Sequence, residues 1–365
     1  MRKRKILIAL PCLIPSGGIN VITVMVKTLQ KLNYQVDIIS KEDGYMRQIF
    51  LQQGAEVRIV TNIMEDSFIA WIVENYDEVL INTLQMCTLV YMLNGKDIEV
   101  KWWIHEPPVF FQQLSQIVPQ KFWDNLCDNI KILAAGNLVH EYILETYKKE
   151  NKVLNFGVED FDASEELSQK DLISPNKITY LLPSITFQPV KGQDIMAMAI
   201  EELSDEYKDK MEFIFIGSKL DQFMEYYDTI KLFEQNNKNV RVLDIIEKSE
   251  LLTLMKQVDC IVAPSRQDST NSCIVEGLML SKVCLCSDGT GVSRYMKDCV
   301  NGFVFPNYNV DELKVRLMLI ADNFSRLDVI AKNGRKVYEE VFSVQVFERN
   351  IRDYWIDGRN KIEQP

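Results

Sequence analysis

Short apolar runs alternate along this chain with longer stretches in which apolar residues recur every three or four positions. Lys5-Ile6-Leu7-Ile8-Ala9-Leu10 has the pattern of a strand, and Ile19 to Leu32 that of a helix with Ile22, Val26 and Leu29 on one face. Further strands are predicted at 35–39, 56–60, 78–81, 100–104 and 131–134. After Asn155-Phe156-Gly157-Val158 the periodicity lapses into an acidic passage, Glu159 to Lys170, that closes at Ser174-Pro175-Asn176. The alternation restarts with strands at 177–182, 212–216, 240–243, 259–263 and 283–286, and helical spacing runs from Asp311 to Trp355. Strands separated by helices form βαβ units and a mainly parallel sheet. The expected fold class is therefore α/β, with two Rossmann-like domains facing across a cleft. An N-terminal domain spans 1–160, a linker 161–176, a C-terminal domain 177–340, and a terminal helical segment 341–365.

Composition narrows the partners. The 365 residues suit two domains, and a net charge of −11 argues against nucleic acid, which needs a concentrated basic surface. The opening Met1-Arg2-Lys3-Arg4-Lys5 is basic, but the apolar run behind it is too short for a signal peptide, and no run approaches the roughly 20 residues of a membrane span. The expectation is a cytoplasmic protein, compatible with peripheral contact at the inner face of the cell membrane. The eight cysteines are scattered, mostly in apolar runs, and with two histidines in the chain they suggest buried thiols rather than disulfides or structural zinc.

Candidate chemistry gathers after the strands. The stretch from Pro264 to Gly277 follows the apolar run 260–263 and leads into a helix near Ser272, with Asp268 and Glu276 bracketing the turn. A helix N-terminus beyond the carboxyl end of a strand suits a phosphate, and carboxylates accept hydroxyl hydrogen bonds. The pattern suits a sugar joined to a phosphate, or an ordinary capped turn with two solvated acids. Gly17-Gly18 after the first strand lets backbone approach an anion, or makes a tight turn. His105, between the strand 100–104 and Glu106-Pro107-Pro108, sits on a stiff loop at the sheet's carboxyl edge. Lys191-Gly192, after the first strand of the second half, could neutralise a diphosphate or be solvated. Glycine turns at Gly217 and at Gly289 and Gly291 also follow strands. Trp102, Trp103, Phe110 and Phe111 could stack on an acceptor or fill the core.

Assembled in order, these pieces resemble the retaining GT-B glycosyltransferases of the large group-1 family, over nearly the whole chain and most strongly from Lys177 to Phe305. Asp268 and Glu276 after Pro264-Ser265 match its Glu–seven residues–Glu signature, with Asp replacing the first Glu. Gly17-Gly18, His105, Lys191-Gly192 and Asn301-Gly302 match its other landmarks, and the segment 342–355 resembles the one that crosses back to the N-domain. The resemblance implies a metal-independent, retaining transfer from a nucleotide-sugar to a glycan, lipid-linked or protein-bound acceptor, with no cofactor besides the donor substrate. It implies catalytic roles for His105, Lys191 and Asp268. Donor contacts would come from Gly17, Gly18, Thr186, Lys191, Asp268, Asn271, Ser272 and Glu276. Thr186 stands where the family places an Arg, so Arg266 and Arg294 are candidates for the missing charge. Two rival readings are a nucleotide-sugar epimerase and a non-catalytic GT-B-like glycan-binding subunit.

Overall fold

The computed structural model describes residues 3–161 and 173–357. They fall into two compact units, one of Met1–Glu159 with Ser343–Pro365, the other of Asp160–Phe342. Most of the expected linker, residues 162–172, lies outside the described residues.

The first unit holds a seven-stranded sheet made of β1 (Arg4–Leu10), β2 (Tyr34–Ser40), β3 (Glu56–Ile59), β4 (Glu78–Asn82), β5 (Glu99–Ile104), β6 (Ile130–Ala134) and β7 (Lys152–Val153). Its order is β3-β2-β1-β4-β5-β6-β7, and every pairing is parallel. The second unit holds β8 (Ile178–Thr186), β9 (Met211–Ser218), β10 (Val240–Leu243), β11 (Cys260–Ala263), β12 (Val283–Ser287) and β13 (Phe303–Phe305). Their order is β10-β9-β8-β11-β12-β13, again all parallel. The strand order reverses between β1 and β4 in one sheet and between β8 and β11 in the other, and such switch points are where open α/β sheets take ligands. Two strands went unpredicted, β7 and β13, because two or three residues carry no period.

Both sheets are covered on both faces, which is why their strands are continuous apolar runs. Trp102, Trp103 and Phe111 are wholly buried. Trp102 stacks on Trp123 with ring centroids 5.2 Å apart, so these aromatics belong to the core of the first unit. The Val344–Arg352 helix completes that unit: Phe347 faces Trp103, the Lys101 ammonium lies over the Trp355 ring, and the Tyr354 hydroxyl donates to the Val153 carbonyl. No helix among the described residues is long and apolar enough to cross a membrane.

Candidate active site

At the second unit's switch point, β8 ends at Thr186 and the chain turns through Pro189–Lys191 into the Gln193–Glu201 helix. Gly192 makes the turn at φ 73°, in the left-handed region. A Cβ there would lie 1.9 Å from the Pro264 carbonyl oxygen, so only glycine lets this turn rest on the backbone leaving β11. The Arg266 N–H donates to the Val190 carbonyl at 2.8 Å and fastens the two loops together. Lys191 is thereby held beside Asp268, to whose Oδ2 its Nζ donates at 2.6 Å. Burial alone pulls the Lys191 ammonium down, but the Asp268 charge and hydrogen bond outweigh it, and the net direction is up. Thr186 is turned inward on its own loop, its hydroxyl accepting from Gln188 and its carbonyl from Gln193.

Asp268 is fixed at backbone level by its N–H to the Gly289 carbonyl and its carbonyl to the Gly291 N–H. Its carboxylate also accepts from the Asn271 N–H at 3.0 Å and the Asn271 side-chain amide at 3.1 Å. Asn271, at φ 74°, caps the Ser272–Met279 helix by accepting from the Ile274 N–H. That satisfies one of the first-turn N–H groups that a helix cannot pair internally. Glu276 lies a turn further along and is buried. Its Oε1 accepts from Lys248 Nζ at 2.5 Å, and its Oε2 is buried with no hydrogen-bond partner among the described residues. The Cys273 thiol between these groups is pushed up to about 12, by burial first and then by Glu276, with Lys248 and Lys191 opposing. Two ammonium–carboxylate pairs, Lys191–Asp268 and Lys248–Glu276, thus act on Cys273 in the first turn of this helix.

The two candidate arginines are otherwise engaged. Arg266 makes a bidentate pair with Asp194, at 2.8 and 2.7 Å, and also donates to the Pro189 carbonyl. It is a strut between the β11 loop and the Gln193–Glu201 helix. Arg294 donates to the Asp288 carbonyl at 2.6 Å and to the Ser293 hydroxyl.

On the first unit, the helix Gly17–Lys31 starts directly at Gly17. A Cβ on Gly17 would meet nothing within 4 Å, and one on Gly18 would make only ordinary contacts, at 3.5 Å, with His105 and Thr83. Neither glycine is demanded by packing, so both leave room at the helix start. His105 rests on Trp103, ring centroids 4.3 Å apart, and burial pushes its imidazole down to about 3. It is a neutral group at physiological pH. Glu106, which burial pushes up, accepts from the N–H groups of Leu84 and His105 and so ties the β4 loop to the β5 loop. Thr83 stands at φ 76°, rare for a β-branched residue, and is held by hydrogen bonds from its N–H to Trp103 and to its carbonyl from Trp102. Asn82 Oδ1, Thr83 Oγ1 and His105 Nε2 are buried without hydrogen-bond partners among the described residues.

Lys191 and Asp268 are brought into contact in the second unit, and in the first His105 lies next to Gly18, 3.5 Å from where a Cβ on that glycine would stand. Asn82, Thr83, Glu106 and Lys248 were not anticipated. The acid directly after His105 and a lysine at the first position of a helix are signals that could have drawn attention to two of them. A consequence of the neutral His105 is an acid-sensitive fold. Between about pH 6.5 and about pH 3 the unfolded chain binds a proton that the folded chain refuses, so this contribution is complete above the unfolded pKa and is lost as pH falls. Denaturant midpoints measured at neutral and at mildly acid pH should converge when His105 is replaced by Gln, and an unchanged acid slope would contradict a buried neutral imidazole.

Comparison with known proteins gives the following. The family model described as "Glycosyl transferases group 1" matches residues 164–337. A Methanocaldococcus jannaschii protein named as an uncharacterized glycosyltransferase is 25% identical over a 172-residue alignment that covers 42% of this chain and 46% of that relative. The match thus spans less than half the length of the curated relative. Among solved structures, Anabaena HepE in complex with UDP and glucose superposes with a TM-score of 0.81 at 16% identity, over 96% of this chain and 99% of that one. A glycosyltransferase from Rickettsia africae gives 0.77 at 17% identity over 100% of both chains. A Thermosynechococcus elongatus sucrose-phosphate synthase gives 0.75 at 12% identity, over 98% of this chain and 100% of that one. These structural likenesses show the fold, two Rossmann-like α/β domains of the GT-B type.

Proposed function

We propose, from the premise that residues 164–337 belong to the group-1 glycosyl transferases, that this chain moves a sugar from a nucleoside-diphosphate sugar to a glycan, lipid-linked or protein-bound acceptor. The observation that carries the reading is the Lys191–Asp268 pair at the start of the Ser272–Met279 helix, with Glu276 Oε2 a turn further along buried without a hydrogen-bond partner among the described residues. An ammonium has three donors, so Lys191 can hold Asp268 and still take a phosphate oxygen. As the bond from the sugar's anomeric carbon to the diphosphate breaks, negative charge grows on the leaving oxygen, and a preplaced cation with helix N–H groups stabilises it. Those groups do the work a metal ion does elsewhere, which supports a metal-independent transfer. Asp268 and Asn271 supply acceptors and a donor for sugar hydroxyls, and Glu276 for the ribose. We assign acceptor binding to the first unit, and keep the donor contacts of Gly17 and Gly18 and a role at the transferred sugar for the neutral His105. Retention is part of the same reading: the acceptor oxygen bonds to the anomeric carbon on the face the diphosphate leaves, and its proton passes to the departing phosphate oxygen.

The test is incubation with a panel of nucleotide-sugars, followed by assay for free nucleoside diphosphate and for isomerised donor. Release of nucleoside diphosphate from one donor, with a rise in melting temperature in the presence of that diphosphate, is the expected result. Saturation at about 100 times Kd adds about 2.7 kcal/mol to apparent stability. Isomerised donor without release would favour an epimerase, and inertness with glycan binding a non-catalytic subunit.

A further inference from the structure

Resting on the nucleotide-sugar reading above, we infer that Lys248 is a positioning residue for nucleotide recognition. It holds Glu276 Oε1 so that Oε2 is presented to the ribose hydroxyls. Lys248 is the first residue of the Lys248–Gln257 helix. A cation there opposes the positive end of the helix dipole. Glu250 in the same first turn is the acid that a helix start favours, and Lys248 is the cation beside it that runs against the dipole. A lysine that breaks the local electrostatic rule calls for a partner elsewhere, and Glu276 on the Ser272–Met279 helix is that partner.

The pairing is unequal in a telling way. Glu276 is 5% exposed, and a buried carboxylate is costly without a charge partner. The Lys248 side chain is 56% exposed, so the pair is open to solvent on the lysine side. An exposed ion pair contributes little on its own, but this one anchors a buried acid whose second oxygen has no hydrogen-bond partner among the described residues. Buried polar atoms are normally satisfied, and one that is not marks room for a ligand donor. Lys248 also acts electrostatically on Cys273 together with Lys191, Asp268 and Glu276, which ties it to the diphosphate end of the same cluster.

The experiment is calorimetric titration of the wild type and the variants Lys248→Met, Lys248→Arg and Glu276→Gln with UDP, GDP and ADP and with their 2′,3′-dideoxy counterparts. Wild type should prefer the ribo form of one nucleotide. Lys248→Met should weaken that form about tenfold and the dideoxy form less than about twofold, since charge-assisted hydrogen bonds to hydroxyls are what is lost. Glu276→Gln should erase the same preference, and Lys248→Arg should restore most of it. A methionine variant that keeps the wild-type ratio, or that loses both forms equally, overturns the role of Lys248 alone. A wild type that binds none of the three nucleotides overturns the nucleotide reading itself, and this inference falls with it. Should Lys248→Met not fold, Lys248→Gln carries the same ratio test, because it removes the charge and keeps a polar side chain.

Discussion

Replacing Lys191 with methionine is expected to lower turnover of the donor sugar by roughly two to three orders of magnitude, the effect of removing one preplaced stabiliser of developing negative charge. The expectation follows from position. Lys191 is held by a turn that only glycine permits, its ammonium is 2.6 Å from Asp268, and the Ser272–Met279 helix opens beside it. The change would also leave Asp268, whose side chain is 12% exposed, without its cation, which by itself lowers stability. The double variant Lys191→Met/Asp268→Asn separates the two effects. It removes both charges, so its melting temperature should return toward wild type while release of nucleoside diphosphate stays low. If the single variant keeps more than about a tenth of wild-type turnover, a loss far smaller than an oxyanion-type donor gives, the leaving group is stabilised elsewhere.

The second large effect is on folding. Gly192→Ala would put a methyl group 1.9 Å from the Pro264 carbonyl oxygen at a φ of 73°. Left-handed strain and overpacking together amount to about 3–5 kcal/mol. In a unit of this size each kcal/mol moves the melting temperature by roughly 2–4 °C, so a drop on the order of 10 °C is expected. Gly17→Ala is the contrast, because no atom lies within 4 Å of its added Cβ. It should hold or slightly raise stability, since alanine is the better helix residue by about 0.5–1 kcal/mol. Equal destabilisation by the two substitutions, read in thermal melts, would mean that the Gly192 turn does not rest on Pro264.

Long apolar runs made the strands legible, because a parallel sheet covered on both faces needs them. The turn chemistry was legible too: Lys191-Gly192 and the Asp268–Glu276 spacing sit where β8 and β11 end. Contacts between residues distant in sequence were not. That Arg266 braces Asp194 depends on a 72-residue separation that no local pattern encodes. The buried Glu106 looked like any acid before a proline pair, yet its carboxylate ties together two loops. Trp102 and Trp103 could not be sorted between ligand face and core from their types alone, because aromatic side chains serve both. Burial decided it.

The first unit is assembled from two separated stretches, Met1–Glu159 and the one from Ser343 onward, while the second is one continuous segment. A growing polypeptide leaves the ribosome with Trp103 still lacking Phe347, and Lys101 still lacking Trp355. The later-made unit can therefore finish first, and the earlier-made one waits for the stretch from Ser343 onward. Truncation before Ser343 would take Phe347 from Trp103 and Trp355 from Lys101, and aggregation of nascent chains is the expected phenotype.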